Sequence, residues 1–74
     1  MISVNTAFKH GDVNGDGLVN STDNSLIGMY ILGTVTRFPS EMGEYAADVD
    51  SNGKIDSIDY VLVRRYLLGI INRF

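Results

Sequence analysis

Two stretches of twelve residues, offset by 36 positions, constrain this chain more than anything else in it. In residues 12–23, oxygen-bearing side chains stand at the first, third, fifth, ninth and twelfth places: Asp12, Asn14, Asp16, Asn20 and Asp23. In residues 48–59 the same places hold Asp48, Asp50, Asn52, Asp56 and Asp59. Gly17 and Gly53 occupy the sixth place, where the chain must turn sharply. Leu18 and Lys54, at the seventh, can offer only main-chain carbonyls. Such spacing brings oxygens to one point, and a hard cation with about six to eight oxygen ligands suits that point. The expected cofactor is two Ca²⁺, one per loop.

The size of the chain makes those ions important. With 74 residues it is one domain, and it has no cysteine, so disulfides cannot staple it. Bound metal is the remaining staple. Asp12, Asp16, Asp23, Asp48, Asp50, Asp56 and Asp59 lie in the loops, seven of nine acidic residues, so the formal charge of −3 reads as ligand charge. Two Ca²⁺ would bring it to +1. No apolar run approaches a membrane span, and Met1 begins no recognisable signal peptide. If the native protein is secreted, the chain is a module of a longer one.

Residues 1–11 form a lead-in, where Ile2, Val4 and Phe8 alternate with polar residues as a brief extended segment would. His10 reads as a surface residue beside the loop, since calcium prefers oxygen. Ser21 is the expected N-cap of a helix over 22–32, with Asp23 in its first turn and Gly33 beyond its end. Residues 34–47 connect, and Phe38-Pro39-Ser40-Glu41 opens a short helix running through Tyr45. Ser57 is the expected N-cap of a second helix over 58–68, ended by Gly69. Leu26, Ile27, Tyr30, Ile31, Val61, Leu62 and Tyr66 are the expected core. Ile70, Ile71 and Phe74 make an apolar tail in 70–74, expected to pack near Phe8.

Sliding the chain by 36 residues aligns 12–33 with 48–69, with nine identical pairs. A complete EF-hand has a helix before its loop and Glu at the twelfth place. Here Lys9-His10-Gly11 precedes the first loop, and Asp23 and Asp59 close the loops. These are half-hands, a loop and its exiting helix. Two repeats of the form Gly-Asp-Val-Asn-Gly-Asp-Gly…Asn-Ser-Thr-Asp, each followed by a helix ending in Tyr-x-Leu-Gly, resemble the type I dockerin family over about residues 10–71. Ala46-Ala47-Asp48-Val49-Asp50 and Arg64-Arg65-Tyr66-Leu67-Leu68-Gly69 are similar to the family as well.

The resemblance implies a small all-α dockerin fold: two calcium-loop/helix half-EF-hand repeats packed antiparallel around a short connecting helix. It also implies a non-catalytic module of a secreted polysaccharide-degrading enzyme. Its partner would be a cohesin, type I by family, on a scaffoldin or cell-surface protein outside the cell. The family's contact places fall on Ser21, Thr22, Gly28 and Met29 in repeat one, and on Ser57, Ile58, Arg64 and Arg65 in repeat two. In each helix the two pairs stand seven residues apart, about two turns, and share a face. The repeats differ at those places, which implies one preferred docking orientation. The module is expected to be monomeric when free.

Blander readings compete at several points. Asp-Gly and Asn-Gly also favour plain turns, though two full matches at one spacing argue against that. Asn20-Ser21-Thr22 fits a glycosylation acceptor, but Asn20 is needed in the loop. Taken alone, Arg64 and Arg65 are a solvated helix end suited to the dipole. They are too few for a nucleic-acid footprint on an acidic domain. The alternative function is an EF-hand-like calcium-binding regulatory domain; sensors open a groove between complete hands, and the entering helices are missing here. For an enzyme there is one His and no nucleophile–base pair.

Overall fold

The computed structural model describes residues 8–74. The extended segment expected from Ile2 and Val4 lies outside them. Among the described residues there are three helices and no strand: α1 (Ser21–Leu32), α2 (Gly43–Ala47) and α3 (Ser57–Leu67). The all-α architecture is as expected, but the helix starts are not capped by serine. Asn20 caps α1 and Asp56 caps α3. Each accepts a main-chain N–H from two residues on, Thr22 or Ile58, at 3.1 Å. Asp23 and Asp59 reach back to accept the N–H of Asn20 and Asp56, both at 2.9 Å. These reciprocal capping boxes use the ninth and twelfth loop residues, which leaves the hydroxyls of Ser21 and Ser57 free at the surface. Both helices end alike. Gly33 (φ 82°) and Gly69 (φ 78°) are left-handed, and the next amides, of Thr34 and Ile70, bond back to Met29 and Arg65 at 2.8 and 2.9 Å.

Helices α1 and α3 pack antiparallel, so the last turn of α1, with Ile31 and Leu32, lies beside Ser57 at the start of α3. Ile27 and Val63, mates under the 36-residue shift, are fully buried between them. Val13 and Val49, the second residues of the loops, complete the core with Phe38, Ala46 and Ala47. Burying each such aliphatic side chain is worth about 1.5–3 kcal/mol. Leu26, Tyr30 and Leu62 pack against this core as expected, and Tyr66 is half-buried. Ile31 and Val61 are exposed instead. Val61 is two residues from Val63, which puts it about 200° away around the helix. Ile31 follows Ile27 by four residues, but α3 only begins there, so it borders a groove.

The connector returns along loop one. Ser40 donates its N–H to the Val13 carbonyl at 3.2 Å, and Gly11 donates to Ala46 at 2.8 Å. The short helix begins at Gly43, later than the expected Phe38, because Phe38 is drawn inward to stack on Tyr30 at 4.8 Å between centroids. Gly43 lies so close that a Cβ there would overlap Phe38 Cβ and stand 3.0 Å from the Val13 carbonyl oxygen. The tail does meet the lead-in, at a different residue. Phe74 lies over Tyr66 (4.9 Å) and beside Gly11, whereas Phe8 sits against His10 (5.0 Å) and Tyr45 (6.1 Å). His10 is half-buried by that contact.

Candidate metal centres and partner face

The loops assemble two carboxylate clusters. Oxygens of Asp12, Asp16 and Asp23 lie within 4.8 Å of one another, as do those of Asp48, Asp50 and Asp59. Asp23 and Asp59 are wholly buried beneath their loops. Main-chain amides hold the clusters in shape. Asp12 accepts from Gly15 (3.0 Å), Asp16 (3.2 Å) and Gly17 (2.9 Å), while Asp48 accepts from Asn52 (3.2 Å) and Gly53 (2.9 Å). Asp23 also accepts from Val13 at 3.1 Å, and Asp59 from Asp50 at 3.4 Å. Asn14 and Asn52 turn their oxygens to the amides of Asp16 and Lys54 (3.2 and 2.9 Å). Asn20 and Asp56 are committed to capping, so at the ninth place the side-chain oxygen faces the helix. Leu18 and Lys54 project exposed side chains, consistent with a main-chain role.

Crowding shows in the electrostatics. Burial pushes the Asp23 carboxyl above its ordinary range, with the charge of Asp12 adding to the rise, against the amides of Asn20, Asn14 and Val13. Asp59 is pushed up to about 6, by burial first and then by Asp50, against the amides of Asp56 and Asp50. At neutral pH these carboxylates are held charged at a cost that a divalent cation among them would remove. The donor set is oxygen only, which fits a hard ion such as Ca²⁺. Among the described residues every buried side-chain N or O atom has a hydrogen-bond partner.

On the outer faces of α1 and α3, Ser21, Thr22, Ser57, Ile58, Arg64 and Arg65 are exposed, and Gly28 and Met29 are half-buried. Antiparallel packing places Ser21 and Thr22 at the end of the helix pair where α3 finishes with Arg64 and Arg65. At the opposite end an apolar groove is lined by Gly28, Ile31, Leu32, Ser57 and Tyr60. Gly28 has a packing duty that spacing did not reveal: a Cβ there would meet Tyr60 Cε1 at 2.9 Å. Asn24, the repeat mate of Tyr60, donates its Nδ2–H to the Tyr60 carbonyl at 3.1 Å. Tyr60, Ile31 and Leu32 are the surface residues that sequence reading missed. The replacement of Asn24 by a bulky aromatic, Tyr60, at the matching helix place is the signal that marks the first of them.

Comparison with known proteins agrees with this geometry. The family model described as "Dockerin type I domain" matches residues 10–68. A ScaB dockerin of Acetivibrio cellulolyticus, solved with the third cohesin of ScaC and carrying a mutation in its N-terminal helix, is 53% identical. It superposes with a TM-score of 0.90, covering 92% of this chain and 93% of that one. The Coh-OlpC-Doc435 complex of Clostridium thermocellum provides a chain 39% identical, with a TM-score of 0.87, covering 90% and 96%. Among curated proteins, the cellulase/esterase CelE of Acetivibrio thermocellus is 53% identical over 34 residues, 46% of this chain. A beta-glucanase of the same organism is 62% identical over 29 residues, 39% of this chain. Those matches span only 4% and 9% of the relatives' own lengths.

Proposed function

The chain belongs to the type I dockerin family, and from that membership we propose that it is a calcium-dependent docking module that binds a cohesin. As a dockerin it is a non-catalytic binding unit. Its proposed setting is extracellular, as part of a secreted polysaccharide-degrading enzyme held on a scaffoldin or cell-surface protein. Two Ca²⁺ are the proposed cofactors, held by Asp12, Asn14, Asp16, Leu18, Asn20 and Asp23, and by Asp48, Asp50, Asn52, Lys54, Asp56 and Asp59. Leu18 and Lys54 act through carbonyls, and Asn20 and Asp56 act through water while capping their helices. The EF-hand-like regulatory reading is not favoured by a chain whose family match and fold are those of dockerins solved with cohesins. The observation that carries the proposal is the pair of exposed helix faces on a fold shared with dockerins solved in cohesin complexes.

The proposed contacts are Ser21, Thr22, Gly28, Met29, Ser57, Ile58, Arg64 and Arg65, and the faces they form are not interchangeable. One end joins the Ser21 and Thr22 hydroxyls to the Arg64 and Arg65 guanidiniums. The other joins Ser57 and Ile58 to Gly28, Met29 and the apolar groove. A partner site shaped for a hydroxyl strands a polar group if isoleucine arrives, at about 1–3 kcal/mol, a preference of roughly five- to a hundredfold. The proposed pose is led by Ser21 and Thr22. The test is calorimetric titration against one type I cohesin, with and without chelator. Ser21→Ala with Thr22→Ala is expected to weaken binding about tenfold or more, and Ser57→Ala with Ile58→Ala to leave it near the parent value. Loss only in the second pair reverses the pose; loss only in the quadruple variant means both poses are used. No cohesin binding in calcium removes the proposal.

A further inference from the structure

Both loops contain a dipeptide with chemistry of its own: Asn14-Gly15 and Asn52-Gly53. Glycine lacks a Cβ, which leaves its amide nitrogen open to attack the preceding carboxamide carbon. We infer that Asn52–Gly53 is a calcium-gated deamidation site, and that Asn14–Gly15 is held back by the packing around it. The inference rests on the reading of these loops as calcium sites.

The surroundings of the two dipeptides differ. Asn52 is exposed, and among the described residues nothing beyond Gly53 and its two chain neighbours lies within 4 Å of where a Gly53 Cβ would be. Asn14 is half-buried, and the same point on Gly15 is 3.2 Å from Ser40 Cβ. The base is common to both: the Gly53 N–H donates to Asp48 Oδ2 at 2.9 Å, and the Gly15 N–H donates to Asp12 Oδ1 at 3.0 Å. Each reacting nitrogen therefore already points its proton at a carboxylate. What separates them is their surroundings: Asn52–Gly53 is open, whereas Asn14 is half-buried and Ser40 lies against Gly15.

In the reaction Asp48 accepts the Gly53 amide proton, and the nitrogen lone pair forms a bond to Asn52 Cγ. The Cγ–Nδ2 bond then breaks, and ammonia leaves with the proton returned by Asp48. Water opens the cyclic imide on either side. Opening at Cγ gives aspartate, the residue that repeat one carries at the matching place, Asp16. Opening at the main-chain carbonyl gives isoaspartate, which adds a methylene to the loop backbone and misplaces the ligands that follow. No oxidant or reductant is involved. With the Asn52 oxygen and the Asp48 carboxylate engaged as calcium ligands, the electrophile is fixed and the base is withdrawn.

The test uses the full chain in mildly alkaline heavy-oxygen water, at saturating calcium, at the lowest calcium that keeps the helical dichroism intact, and in excess chelator. Peptide mapping reads label and isoaspartate at each site, and calorimetry reads calcium bound. Asn52 is expected to react ahead of Asn14 at the lowest calcium. Raising free calcium about tenfold should slow Asn52 about tenfold, as mass action on the ion-free loop requires. The isoaspartate product, separated by ion exchange, should bind one calcium fewer than the parent. Unlabelled Asn52 in chelator, Asn14 reacting first at the lowest calcium, or a rate at Asn52 indifferent to calcium that calorimetry shows to be bound would each overturn the inference. If calorimetry shows no calcium bound, the calcium-site reading fails and the gate fails with it.

Discussion

Repeat one and repeat two share a loop, a capping box and a helix end, yet they sit differently in the molecule. Loop one is sheltered: the connector crosses it through Ser40 and Ala46, and Asp12 is buried. It carries three carboxylates, Asp12, Asp16 and Asp23. Loop two is open, with Asp48 half-buried, and carries four: Asp48, Asp50, Asp56 and Asp59. The helices differ in the same spirit. Tyr60 of α3 lies over Gly28 of α1, while the mates of that pair are the small Asn24 and the exposed Arg64. A duplicated sequence can keep its loop oxygens while one connector and one aromatic ring make the copies unequal.

The largest effect should come from removing the ions. At free calcium about 1,000 times Kd one site contributes about 4.1 kcal/mol, comparable to the whole stability of so small a domain. EDTA is expected to collapse the helical circular dichroism. On partial chelation, hydrogen exchange should show α3 losing protection before α1, because loop two carries four carboxylates to the three of loop one and lacks the connector bonds that shelter loop one. An unchanged spectrum and melting point in EDTA contradicts the metal staple; equal loss in both helices contradicts the difference between loops.

Next in size is the carboxylate at the first loop place. Asp12→Ala strands three main-chain amides in a partly buried setting, and Asp48→Ala strands two in an open one. At about 1 kcal/mol for each lost bond, Asp12→Ala should cost about 3 kcal/mol and Asp48→Ala about 2 or less. Urea denaturation in calcium measures both, and the reverse order would mean that loop charge outweighs shelter.

Exchanging helix residues probes the second difference. Gly28→Arg gains about 1 kcal/mol of helix propensity but displaces the Tyr60 ring at about 1–3 kcal/mol, for a net loss of about 1. Adding Tyr60→Asn should restore part of it, since residues in contact are not additive. Arg64→Gly should cost only the propensity, about 1 kcal/mol. A single Gly28→Arg variant with the parent's melting point would show that the ring is not held there.

The smallest effect concerns the fourth loop residue. Gly15 (φ 73°) has Ser51 (φ 56°) as its mate, a left-handed serine where repeat one uses glycine. Relieving it with Ser51→Gly should stabilise by up to about 1 kcal/mol. A destabilised variant would show that the serine side chain makes a contact worth more than the backbone strain.

The sequence by itself determined the duplication, both sets of loop carboxylates, the glycine helix ends and the helix pair, because each depends on spacing along a single segment. Ligand oxygens must fall at set loop places, and a helix repeats its faces every 3.6 residues. Only the tertiary structure decided which residues those segments spend on one another. Buried Asp23 and Asp59 reach back to complete the caps, which releases Ser21 and Ser57 to the surface. The start of α3 leaves Ile31 at a groove and makes Ile27 and Val63 the buried pair. Val13 and Val49, at the second place of each loop, were legible in principle from their identity across the repeats. Phe38 over Tyr30, Gly43 against Phe38, Tyr60 over Gly28 and Phe74 beside Gly11 were not. Each joins residues distant along the chain, and their meeting depends on how the connector returns and where each helix stops, which no local period records.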